Sequence, residues 1–173
     1  MNRKTKIVKL ALKDALLDLL EEKPLNAVSV RSLCELADVN RSTFYAHYED
    51  INALVGEMEE DFLSHVAFFD GNQPTKDHLS LVEEYVRYVK ENQRLFLLLL
   101  DNGKLSSSFL FHAVKMNYYQ TDSHYYTMLA AYAVYGSISA LSYWLKNPGS
   151  RTEQEMAQLI YRCSCAIAEV QFQ

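Results

Sequence analysis

Arg41, Ser42, Thr43, Tyr45 and His47 place a guanidinium, three hydroxyls and an imidazole within seven residues, with no carboxylate among them. This set can donate hydrogen bonds to phosphate oxygens and base edges, and Ala46 adds a methyl that suits thymine. At roughly 100° per residue, Ser42, Thr43, Tyr45 and Ala46 share one side of a helix, with Arg41 and His47 flanking. Phe44 and Tyr48 point the other way and supply an apolar side for docking. An ordinary helical hairpin with a polar outer face has the same pattern, so the pattern alone leaves DNA contact and plain solvation both open.

The elements that must position these residues are legible upstream. Residues 29–48 read SVRSLCELADVNRSTFYAHY. Ser29 stands where an N-cap belongs, and Val28 and Leu33 occupy the two positions of a hydrophobic staple. Val30, Leu33, Cys34 and Ala37 follow i, i+3, i+4, i+7 spacing and predict a buried stripe. Asp38 takes the sharp turn, where a left-handed backbone is needed that Asp tolerates. Asn40 is the next N-cap, and a second helix is expected from Arg41 to about Tyr48. Two short helices joined this way form a helix-turn-helix, whose second helix is shaped to enter the major groove.

The preceding segment is basic. Residues 1–13 hold Arg3, Lys4, Lys6, Lys9 and Lys13 and no acid. Cations at a helix N-terminus oppose the macrodipole, and a phosphate backbone would offset that cost. A solvated, frayed tail has the same composition. Val8, Leu12, Ala15, Leu16 and Leu19 predict one buried face for this first helix, which should stop near Glu22, before Pro24.

The stretch VRSLCELADVNRSTFYAHYEDINAL resembles the DNA-binding domain of TetR-family transcriptional regulators. The resemblance covers about residues 4–66. It centres on the small–aromatic–Tyr–x–His–aromatic signature, read here in the run from Thr43 to Tyr48. It implies a sequence-specific regulator, usually a repressor, that binds a palindromic operator in double-stranded DNA as a homodimer. Carried over position by position, Arg41 and Arg31 reach base edges, while Ser29, Thr43, Tyr45 and His47 contact phosphate, sugar or thymine methyl. With Arg3, Lys4, Lys6, Asn40 and Ser42 these form the expected DNA-binding set. Arg31 could equally solvate a helix end, and His47 could be a structural histidine. The chain departs from the family at Asp38, where glycine is usual, and at Ile51, where a phosphate-binding lysine is common. Asp38 is sterically tolerable but adds a negative charge close to DNA, and the phosphate contact missing at Ile51 predicts weaker non-specific affinity and a shallower salt slope.

Composition sets outer limits. The chain has 173 residues, 49% hydrophobic content and a net charge of −5. Residues 1–50 balance eight basic against eight acidic side chains, so the excess of acid lies in the remainder and any DNA surface lies at the N-terminal end. Lys9, Lys13 and Asp14 interrupt the N-terminal apolar residues, so no signal peptide is expected. The run Leu95–Leu100 is too short to span a bilayer, and a cytoplasmic protein with no membrane partner is expected. Cys34, Cys163 and Cys165 fit a reducing compartment. No His, Cys and carboxylate cluster has ligand spacing, and phosphate-loop and nucleophile-elbow patterns are absent. No metal, no cofactor and no enzymatic activity are expected.

The fold class is all-α, with about nine helices. A three-helix helix-turn-helix domain over 1–50 precedes a helical effector-binding and dimerisation domain over 51–173. Helices are expected over about 51–69, 75–91, 93–100, 106–119, 124–146 and 153–170, with a break at 70–76. Leu79, Val82, Val86 and Val89 predict the buried face of the 75–91 helix. Ala133, Gly136, Ser137 and Ala140 form a small-residue stripe, and Met156, Leu159, Ile160, Cys163 and Ile167 an apolar one. The resemblance implies that the last two helices form a two-fold four-helix dimer interface, although both faces could pack within a monomer. It also implies a pocket for a small-molecule effector. Phe62, Tyr85, Phe96, Leu99, Phe109, Met116, Tyr119 and Trp144 are its candidate lining, and stripes of that kind also serve as plain core. A different class of function, a co-regulator whose second domain binds a partner protein, is compatible with the acidic second half.

Overall fold

The computed structural model describes residues 3–67, 78–101 and 124–169. Among these the chain forms eight α-helices, one 3-10 turn and no strand, in line with the all-α expectation. The helix expected over 106–119 and the break at 70–76 lie outside the described residues. The chain divides into two compact units, Met1–Asp61 and Phe62–Gln173.

The first unit begins with α1, Arg3–Glu22, which buries Leu12, Ala15, Leu16 and Leu19. Lys23 N–H still reaches Leu19 O at 3.1 Å. Pro24 then stops the helix, because its ring and missing N–H cannot continue the ladder. A 3-10 turn, Leu25–Ala27, leads into α2, Val30–Leu36. Ser29 Oγ accepts from Ser32 N–H at 3.1 Å, and Ser32 Oγ accepts in turn from Ser29 N–H at 3.3 Å. The capping box is thus closed by serine instead of the usual Glu or Gln. Val28 and Leu33 are both buried, as the staple requires.

Asp38 adopts φ 51°, the only left-handed non-glycine among the described residues. Helix α3, Arg41–Tyr45, follows and packs on α2, which packs on α1. It is shorter than the expected run to Tyr48. His47 N–H bonds to Phe44 O at 2.9 Å, a tightened i→i−3 turn that ends the α-helix at Ala46. Helix α4, Ile51–Ala67, starts where Asp50 Oδ1 accepts from Ala53 N–H at 2.8 Å. Its first three turns bury Leu54, Val55 and Met58. The division between units falls within this helix, after Asp61.

The second unit contains α5 (His78–Glu91), α6 (Gln93–Asp101), α7 (His124–Lys146) and α8 (Glu153–Ala168). Helix α8 packs on α5 and α7, and α6 packs on α5. Helix α5 buries Leu81, Val86 and Val89, whereas Leu79 and Val82 are only half-buried. The buried face is therefore rotated toward Leu81 relative to the expected one. Helix α6 is inward on most sides, burying Phe96, Leu98 and Leu99. The α7–α8 connection is fixed by Gly149 at φ 86° and by a Thr152–Glu155 capping box. Trp144 Nε1 donates to Arg151 O at 2.8 Å across the same turn.

Candidate nucleic-acid interface

The recognition helix owes its orientation to two aromatic anchors. Phe44 is fully buried and Tyr48 nearly so, with ring centroids 5.7 Å apart. With those two side chains inward, Arg41, Ser42, Tyr45 and Ala46 are exposed, and Thr43 and His47 are half-exposed. Tyr45 is 58% exposed, on the opposite side of the helix from the two anchors. The outward face holds donors and a methyl, and none of its residues carries a negative charge.

Asn40 takes the N-cap position with extended backbone, and its carbonyl accepts from Thr43 and Phe44 N–H at 2.9 and 3.0 Å. Its side chain makes no capping hydrogen bond. Ser29 is exposed, but its hydroxyl is engaged in the α2 cap and lies 3.0 Å from Ser32 Oγ. Arg31 projects from the first turn of α2, highly exposed, and its Nε donates to Glu35 Oε1 at 2.7 Å. That bond raises the guanidinium's pKa. It occupies only the Nε edge, and an exposed i, i+4 pair of this kind exchanges readily for another anion. Glu35 lies four residues after Arg31, so the pairing is legible in the sequence, where Arg31 is weighed only between DNA and a solvated helix end.

The basic arm divides in two. Arg3, Lys4 and Lys6 are exposed on the first turn of α1. Lys9 and Lys13 turn inward to α4. Lys9 Nζ pairs with Glu57, and Lys13 Nζ lies 3.0 Å from Glu57 Oε1 and 2.5 Å from Asp61 Oδ2. Tyr48 Oη donates to Glu57 Oε1 at 3.1 Å, and Lys9 Nζ sits 5.1 Å from the centroid of the Tyr48 ring. Burial works against the Glu57 charge, but hydrogen bonds from Lys9 and Lys13 outweigh it and hold the carboxyl below its ordinary range. Burial likewise opposes the Lys13 charge, and Asp61 and Glu57 overcome it, raising the ammonium. Burial, reinforced by the Glu57 charge, pushes the Tyr48 phenol up. The carboxylates of α4 thus answer part of the positive charge that α1 carries.

Cys34 is buried beside this surface, and burial pushes its thiol up against the pull of Arg41, which makes it a packing residue. Cys163 and Cys165 are exposed. Among the described residues no group of three or more His, Cys, Asp or Glu is placed to hold a metal ion. No described helix is long and apolar enough to cross a membrane.

The residues expected to line an effector pocket are interior where they are described. Phe62, Phe96 and Leu99 are essentially inaccessible, and the Phe62 ring lies 5.3 Å from Tyr88 and 6.1 Å from Phe96. Burial pushes the Tyr85 phenol up. Trp144 is committed to the α7–α8 turn, with Lys90 Nζ 5.6 Å from its ring and 2.7 Å from Glu153. Phe109, Met116 and Tyr119 lie outside the described residues.

The last two helices show an apolar face that sequence reasoning missed. On α7, Ile138, Leu141 and Trp144 are buried, while Met128, Tyr132, Tyr135 and Tyr143 are 64%, 71%, 40% and 70% exposed. The two sets occupy opposite sides of the helix at 100° per residue. The small-residue stripe flanks the exposed one, with Gly136 exposed and Ala133, Ser137 and Ala140 half-buried. On α8, Met156 and Ile160 are consumed by the unit's own core, Ile167 is half-buried, and Leu159 and Cys163 face outward.

A helix-turn-helix with two inward aromatics, a donor-lined outer face and a second helical unit is the architecture of a DNA-binding regulator. Residues 12–58 match the model of the family described as bacterial regulatory proteins, tetR family. A TetR transcriptional regulator from Streptococcus agalactiae 2603V has a similar structure, with TM-score 0.62, 21% identity and 94% of this chain aligned to 96% of that one. The dihydroxyacetone kinase operon activator DhaS is similar at TM-score 0.61 and 15% identity, over 92% of this chain and 94% of that one. No curated protein matches the sequence. Residues 12–58 therefore carry the helix-turn-helix region of that family, and the chain as a whole shares the fold of a TetR transcriptional regulator.

Proposed function

We propose that this chain is a repressor that binds a palindromic operator as a homodimer and is released or retained by a small-molecule effector. The observation that carries the DNA-reading part is the outward face of α3. Arg41, Ser42, Tyr45 and Ala46 are exposed while Phe44 and Tyr48 hold the helix in place. Arg41 reads a base edge, with Arg31 second once it exchanges Glu35 for DNA. Ser42, Thr43, Tyr45 and His47 contact phosphate, sugar and thymine methyl. Arg3, Lys4 and Lys6 supply the flexible electrostatic contact, and Lys9 and Lys13 do not. Ser29 contributes by setting the angle of α2, and Asn40 by starting α3.

The dimer reading is supported by the exposed tyrosines of α7 together with outward Leu159 and Cys163 on α8. Exposed large apolar side chains on two packed helices favour a protein-contact surface over plain solvation. Two copies then present recognition helices about 34–36 Å apart. The effector part rests on the aromatic interior of the second unit and on α4, which is continuous from the DNA-reading unit into the second. An effector acts only if it prefers one arrangement of the recognition helices over another. The protein works in the cytoplasm.

The test is binding of purified protein to DNA fragments it has selected from its own genome. Arg41→Ala and Tyr45→Ala lose operator affinity while remaining folded. Unchanged affinity in both variants overturns the assignment of the reading surface.

A further inference from the structure

Glu57 lies on α4 and is not among the residues assigned to DNA, yet three side chains of the first unit converge on its carboxylate. Lys9 and Lys13 bind it from α1, and Tyr48 Oη binds it from the segment that closes the recognition helix. Lys9 also stacks its ammonium against the Tyr48 ring, so Tyr48 is gripped at its hydroxyl by α4 and at its face by α1. The ring is 4% exposed, whereas Tyr45, three residues earlier, is 58% exposed. Tyr48 is therefore the point at which the frame of the unit takes hold of the reading helix. Apolar packing of Phe44 fixes how deep α3 sits, but it is non-directional. The hydrogen bond and ion pairs at Glu57 are directional, and they fix the rotation and tilt of a helix only five residues long.

We propose that Glu57 is a positioning residue for the DNA-reading surface. It holds α3, through the Tyr48 hydroxyl, in the orientation that aims Arg41 and Tyr45 outward. The inference rests on the reading of α3 as the recognition helix. It extends that reading by naming a directional contact that couples α4 to α3, beside the apolar packing of Leu54, Val55 and Met58. A salt bridge that merely stabilises the unit would protect all its helices alike. A positioning contact acts selectively on the segment it grips.

Hydrogen–deuterium exchange of the full chain separates the two roles without any DNA. The variants are Tyr48→Phe, which keeps the buried ring, Glu57→Ala, Glu57→Gln as the conservative replacement, and the Tyr48→Phe/Glu57→Ala double. Amides of residues 41–48 should exchange about 5- to 10-fold faster in Tyr48→Phe, the scale of one lost hydrogen bond. Those of α2 should be unchanged. Glu57→Gln, which can still accept from Tyr48, should lie between wild type and Glu57→Ala. The double should be no faster at 41–48 than Glu57→Ala, because both changes remove one contact. On a DNA fragment selected by the wild type, Tyr48→Phe should bind several-fold more weakly at full folding. Equal acceleration in α2 and α3, or none in either, overturns the proposal. So does unaltered affinity of Tyr48→Phe for the selected fragment. Should wild-type protein select no DNA, the functional reading fails, while the exchange pattern still decides the role of Glu57.

Discussion

The rings of Phe44 and Tyr45 stand 5.4 Å apart and nearly perpendicular, at 84°, one sealed in the core and the other in solvent. Adjacent aromatic residues therefore do opposite jobs. Phe44→Ala should cost about 3–5 kcal/mol of stability, the usual range for emptying a buried aromatic site. Tyr45→Ala should leave the stability unchanged to within about 0.5 kcal/mol and should weaken DNA binding. Thermal melts and fluorescence anisotropy on the two variants check the division directly.

Asp38 carries a left-handed backbone and a negative charge in the turn that precedes the recognition helix. Glycine adopts φ 51° without meeting a Cβ clash, so Asp38→Gly should stabilise the protein by up to about 1 kcal/mol. It should also tighten DNA binding, most strongly at low salt, because a carboxylate next to phosphate is removed. Asp38→Asn should tighten binding with less gain in stability. A melting curve and a salt titration of affinity separate the two effects.

The helix-turn-helix was legible because each device that builds it is local. Ser29 lies three residues from the N–H it caps, Asp38 declares its own turn, and Phe44 and Tyr48 are one helical turn apart. What escaped was contact across the chain. Nothing in the spacing of Lys9 and Lys13 announces Glu57 and Asp61, which lie 48 residues further on, so all five N-terminal cations read alike. Helix α7 hid its outer face for another reason. Apolar residues occupy almost every side of it, and periodicity cannot choose between two apolar faces. The small residues form the more regular stripe, and Tyr132, Tyr135 and Tyr143 beside them carry the exposure. The end of α3 is not marked in the sequence, because Ala46 and His47 continue the helical pattern while the His47 N–H tightens onto Phe44 O.

The Lys9–Glu57–Lys13 cluster should give the first unit a defined pH window. Glu57 is held below its unfolded pKa of about 4.3, so it stabilises the fold above that pH, and the contribution is lost as pH falls through the lower folded value. Lys13 is raised above its unfolded value of about 10.4, so its contribution is complete below that pH and is lost as pH climbs through the higher folded value. Stability should be level through neutrality and fall on both flanks. Glu57→Gln should lower the plateau and flatten the acid flank in melts between pH 3 and 8.

Tyr132→Glu and Leu159→Glu place a charge on positions that the chain's own fold leaves 71% and 50% exposed. Each should fold like the wild type and sediment as a monomer, with operator affinity reduced by the loss of the second reading helix. Wild-type sedimentation as a monomer at micromolar concentration would remove the support for a paired operator.

The measurement closest to the central claim is selection of bound genomic fragments followed by base-by-base substitution within the enriched site, for wild type and Arg41→Ala. The account predicts a two-fold symmetric site with half-sites one helical turn or a multiple of it apart. In Arg41→Ala one base pair in each half-site should lose about 1–3 kcal/mol of discrimination, while the other positions keep theirs. A wild-type protein that enriches no sequence, or an Arg41→Ala protein with an unaltered preference at every position, would contradict it.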